Sequence, residues 1–140
     1  MASLFERLSP ESRRRRFLGA KPQLSPRELT YLAAVDHCWH EALVAVDWRD
    51  GSIVGVARYA GVHERPGTAD TAIVVVDELQ RKGIGTALSR RLINRARENG
   101  FELLVATTLW DNRAARALLR RLGFRPCMSQ GDEIELELQL

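Results

Sequence analysis

The run Ala72-Ile73-Val74-Val75-Val76 constrains the fold most. It is apolar without alternation, as a strand covered on both faces in the middle of a sheet must be. From Gly83 to Asn99, Ile84, Ala87, Leu88, Leu92, Ile93 and Ala96 recur at helical spacing, while Arg90, Arg91, Asn94, Arg95, Arg97 and Glu98 take the opposite face. Gly100 supplies a helix stop, and Leu103 to Ala106 is a second buried run. Two buried strands joined by one helix must lie parallel, and the crossover is right-handed.

The flanking segments add elements to that core. Ser9-Pro10-Glu11-Ser12 reads as a helix start leading into Arg13-Arg14-Arg15-Arg16, and Ser25-Pro26-Arg27-Glu28 repeats the signal with capping-box spacing. Ala42 to Asp47 and Ile53 to Tyr59, separated by the Asp50-Gly51 turn, predict a hairpin. Ala114 to Leu122 is a last amphipathic helix ended by Gly123, and Phe124 to Met128 with Glu133 to Leu140 predict a closing hairpin. The expectation is an α/β (α+β) fold: a mixed central sheet around a parallel strand-helix-strand unit, flanked by helices. At 140 residues, positions 1–140 are expected to form one domain.

The apolar stretches are far shorter than the roughly 20 residues of a membrane-spanning helix, and Met1 to Leu8 lacks the apolar core of a signal peptide. A cytoplasmic protein without a membrane partner is expected. Cys38 and Cys127 are widely spaced and suggest neither a metal site nor a disulfide framework. No aromatic residues interleave with the arginine run, which argues against nucleic acid as a partner.

Between the central strand and its helix sits Gln80-Arg81-Lys82-Gly83-Ile84-Gly85-Thr86. Two glycines let a ligand approach the backbone closely, and the free amides and dipole of a helix N-terminus favour a phosphate there. Arg81 and Lys82 add positive charge. The turn lacks the Gly-Lys-Ser/Thr ending of a phosphate loop and the Gly-x-Gly-x-x-Gly of a dinucleotide fold.

Gln-x-x-Gly-x-Gly between a buried strand and a helix, followed by Asn112, Ala115, Leu118 and Gly123-Phe124, resembles the paired motifs of GNAT superfamily N-acetyltransferases. More narrowly, Phe5 to Ser12, Arg15-Arg16-Phe17, and Leu24-Ser25-Pro26 through Val35-Asp36-His37 resemble the GNAT domains of bacterial protein lysine acetyltransferases. The resemblance implies acetyl-CoA as the acetyl donor and a protein lysine as acceptor, with a small amine or a non-catalytic acyl-CoA sensor as alternatives. It implies that the pyrophosphate lies on Gln80 to Thr86, that the backbone of Ile73 and Val75 engages the pantetheine arm, and that Asn112 bonds the arm or pyrophosphate region. It also implies that the chain lacks most of the family's opening strand: either the sheet is one strand short, leaving an edge open to a homodimer, or something else covers that edge.

Acetyl transfer needs a neutral amine, and deprotonating an ordinary lysine at neutral pH costs roughly 4 to 5 kcal/mol. A positioned base is therefore useful. Relatives in this group carry a glutamate just ahead of the central strand, where this chain has Asp70; read alone, Asp70 is equally a solvated strand-start residue. Asp111 is the runner-up base, and an aspartate before Asn112 is also a natural helix cap. Leu119 stands where many family members have a tyrosine that protonates the departing thiolate. His37 and His40 read as surface or packing residues.

Overall fold

The computed structural model describes residues 2–17, 25–27 and 34–140. Six strands form one sheet in the order β1-β2-β3-β4-β6-β5. They are β1 (His40–Val46), β2 (Ile53–Gly61), β3 (Thr68–Val75), β4 (Leu103–Leu109), β5 (Arg125–Gln130) and β6 (Glu133–Gln139). All neighbours are antiparallel except the central pair β3 and β4, which is parallel. Among the described residues the α-helices that accompany the sheet include α1 (Ala2–Glu6), α2 (Pro10–Phe17), α3 (Ile84–Glu98) and α4 (Arg113–Arg121). The helix expected from Ser25 lies, beyond Pro26 and Arg27, outside the described residues.

The parallel unit and both hairpins form as their apolar patterns require. α3 turns Leu88, Leu92, Ile93 and Ala96 onto Ala57, Ala69, Leu104 and Leu136, and burial of each large side chain stabilises the fold by about 1.5–3 kcal/mol. On the opposite face Leu4 of α1 packs with Val54, Val56 and Val76. β3 is covered on both faces, which explains its unbroken apolar run. It begins at Thr68, earlier than its apolar residues announce, because Ala69 to Val75 pair with β2 along their whole length. Asp70 is thus within the strand. Among the described residues no strand lies outside β1, so the sheet opens on the hairpin. No helix among the described residues is long and apolar enough to cross a membrane.

Candidate active site

β3 and β4 pair only between Thr68–Asp70 and Leu103–Val105, although the strands continue to Val75 and Leu109. Their outer edges stay paired, β3 with β2 and β4 with β6, so the two strands splay apart past Asp70 and Val105. The gap is a cleft of about 680 Å³. The phase of the β2–β3 ladder decides what faces it. The Val76 amide donates to the Val54 carbonyl at 2.9 Å, so by alternation Val74, Ala72 and Asp70 bond β2, whereas Thr71, Ile73 and Val75 turn their backbone toward the cleft. The Val75 carbonyl accepts from Gln80 Nε2 at 3.0 Å. The amides of Ile73 and Val75 remain for an extended ligand.

The cleft opens onto the start of α3. Arg81 and Gly83 hold positive φ of 62° and 85°, and this backbone path presents the amides of Arg81 to Thr86 without an acceptor among the described residues. Glycine is needed at position 83 for its left-handed φ. Gly85 faces the cleft, and a Cβ there would meet Leu118 at 3.4 Å, so its hydrogen keeps the wall thin. Gln80, Arg81, Gly83, Gly85 and Thr86 all line the cleft, as do Ile73, Val75 and Asn112. Lys82 is exposed outside the lining, and the Ile84 side chain turns away to pack beside Leu4, Val54 and Val76. Asn112 caps α4 by accepting the Ala115 amide at 3.2 Å while also forming part of the wall.

α2 crosses the mouth of the cleft. On one rim Asp77 accepts from the Ser9 amide (3.2 Å) and from the hydroxyls of Ser9 (2.8 Å) and Ser12 (3.1 Å), and Gln80 Nε2 reaches Ser12 Oγ at 3.4 Å. On the other rim Arg14 pairs with Asp111 at 2.7 Å. Asp111 is therefore occupied in tying α2 down. Arg13 lies over the Phe5 ring at 4.5 Å and donates to carbonyls of Phe5, Glu6 and Leu8. Arg15 and Arg16 line the cleft. A run that reads as a solvated face is, in the fold, a set of separate contacts. Its one legible sign was that charge persisted on every side of so short a helix.

Asp70 stands where the strands part, beside Val105 of β4, on the face that α2 covers. Its carboxyl reaches solvent, and protein crowding about it pushes its pKa above the ordinary value, a trend that the Arg16 charge opposes. It lies at the apex rather than on the cleft walls. A carboxylate raised in this way is a stronger base than a free one. Leu119 is buried against Phe124 and offers no proton. His37 and His40 lie away from the cleft: His37 Nδ1 sits 2.7 Å from Glu41, and His40 faces the Arg58 guanidinium. Cys38 and Cys127 are exposed and unpaired.

A model of the acetyltransferase (GNAT) family matches residues 5–124. An acetyltransferase of Pseudomonas aeruginosa is 39% identical over 120 residues, which cover 84% of this chain and 64% of that protein, less than two thirds of its length. Among solved structures, the GNAT domain of PAT from S. lividans superposes with a TM-score of 0.91 at 24% identity, over 99% of this chain and 82% of that one. A putative acetyltransferase from Salmonella typhimurium, solved with its cofactor acetyl-CoA, gives a TM-score of 0.63 at 27% identity over 71% of this chain and 64% of that one. A parallel pair that splays onto a glycine-rich helix start, and a family match spanning that whole unit, lead to one conclusion: this chain belongs to the acetyltransferase (GNAT) family.

Proposed function

We propose that the protein transfers an acetyl group from acetyl-CoA to the side-chain amine of a protein lysine. One observation carries the donor half. The splayed strands leave the amides of Ile73 and Val75 pointing into a cleft that ends on the unpaired amides of Arg81 to Thr86. An extended arm with a terminal diphosphate matches that sequence of groups: strand-like pairing along β3, then anion binding at the helix start. Arg81 adds charge at the phosphate end, and Asn112 forms the facing wall. Gly83 and Ile84 serve through backbone, and Lys82 through long-range charge.

The acceptor half rests on Asp70. An incoming ammonium is attracted to its carboxylate, which takes one proton, directly or through water. The neutral nitrogen then attacks the thioester carbonyl, the carbon–sulfur bond of the tetrahedral adduct breaks, the thiolate leaves to be protonated by solvent, and the nitrogen sheds its second proton to solvent to give the amide. In this reading the Val75 amide polarises the carbonyl oxygen.

Labelled acetyl-CoA incubated with a cell lysate and the pure protein tests the reading. Label on lysine side chains of proteins is the expected result. Label confined to small molecules would replace the lysine acceptor by a small amine, and binding without any transfer would make the chain an acyl-CoA sensor. Asp70→Ala should lower kcat by about 10²–10⁴-fold, the usual contribution of a positioned base.

A further inference from the structure

The floor beneath α2 can be read strand by strand. Asp70 pairs laterally with Val105, and Thr107, two residues on along β4, lies opposite Glu135 of β6. Ala69, Leu104, Ala106 and Leu136 face the α3 core, so Asp70, Val105, Thr107 and Glu135 share the other face. β6 thus sets Glu135 across β4 from Asp70 and, by the same register, places Glu137 opposite Val105 and Glu133 opposite Leu109 on this face. Glu135 is held by its own partners: Arg65, from the β2–β3 loop, stands 3.4 Å from Oε1, and Cys127 Sγ–H donates to the same oxygen at 3.4 Å. The segments involved are remote in sequence. Only the insertion of β6 between β4 and β5 brings Glu135 near β3.

We infer that Glu135 is a positioning residue for the acetyl-transfer base, with Arg65 setting how much of its charge reaches Asp70. The inference rests on the role proposed for Asp70. Among the described residues the charged groups on this face include Arg15 and Arg16 of α2, Arg58 of β2, Arg65 of the loop, Arg125 of β5, and Glu133, Glu135 and Glu137 of β6, and β4 contributes none. Glu135 acts on Asp70 as a like charge, which disfavours the ionised carboxylate and strengthens it as a base, whereas Arg16 works the other way. Arg65 attenuates Glu135 by pairing with it.

This relay predicts shifts of opposite sign. Removing the Glu135 charge lets Asp70 ionise more readily, and removing Arg65 leaves Glu135 uncompensated. Carbon-13 NMR titration of the Asp70 side-chain carboxyl, assigned with Asp70→Asn, reads this without any acceptor. The midpoint should fall on the order of half a pH unit in Glu135→Gln and rise in Arg65→Gln. The acidic limb of kcat/KM with a blocked lysine peptide should move in the same two directions. A merely structural role for Glu135 would alter stability in both variants without moving the titration oppositely. If neither midpoint moves, or both move the same way, the relay is wrong. If Asp70→Asn leaves transfer intact while the midpoints move as stated, the relay stands and the assignment of Asp70 as base fails.

Discussion

Gly85 is where the proposed donor site and the fold make different demands on one atom. It sits in the first turn of α3 with its α-carbon on the cleft wall, and an added methyl group would make only ordinary contact with Leu118. Alanine is the better helix former by roughly 0.5–1 kcal/mol. Gly85→Ala should thus keep or slightly raise the melting temperature while weakening acetyl-CoA binding by at least tenfold, measured by calorimetric titration. Equal affinity in the variant would mean that the donor does not pass this wall. The cleft wall proposed to hold the donor was legible in the sequence for the same reason: backbone access demands glycine, and few other demands place two glycines at a strand-to-helix turn. The residue proposed as base was less so. Asp70 carries no local mark, because its environment draws on Arg16 and Glu135, which the sequence keeps far from it.

At the level of elements, β1 is attached to the sheet by β2 and to the helical layer by the packing of Leu43 and Ala45 and by a buried carboxylate. Glu41, 2% exposed, accepts from Arg95 of α3 at 3.1 Å and from its neighbour's amide, Ala42, at 3.0 Å, with His37 Nδ1 2.7 Å away. Burial alone would raise its pKa, yet His37, Arg95 and the Ala42 amide together hold it below the usual carboxylate range. Breaking a buried pair costs about 3–5 kcal/mol; because Arg95 is 40% exposed and water can take its place, about 2 kcal/mol is expected for Glu41→Gln, read by urea denaturation. An unchanged midpoint would show that packing alone holds β1. The sequence signals announced the six strands and α2, α3 and α4, missed α1, and were silent on such cross-ties. Periodicity reports which face is buried. It does not report which polar group a buried face has to satisfy, and the arginines of α2 and α3 differ in their tasks although they look alike in sequence.

For the whole molecule, the two carboxylates give opposite pH dependence to stability. Glu41 is depressed in the fold, so its contribution is fully present above the unfolded value of about 4.3 and is lost as pH falls through the lower folded value. Asp70 is raised, so the fold pays for its charge: the penalty is absent below the unfolded value of about 3.9 and complete once pH has risen past the folded one. Asp70→Asn should accordingly be more thermostable than the parent at pH 7, with the advantage vanishing toward pH 3. Glu41→Gln should be less stable at pH 7, its deficit shrinking as the medium turns acidic. Melting temperatures of the three proteins from pH 3 to pH 8 check both statements at once. A base kept out of its preferred protonation state is strain held at a functional site, and it should be recoverable as stability when the charge is removed. An Asp70→Asn variant that melted no higher than the parent at neutral pH would mean that the crowding about Asp70 is relieved by solvent, and with it the argument that the fold prepares this carboxylate to take a proton.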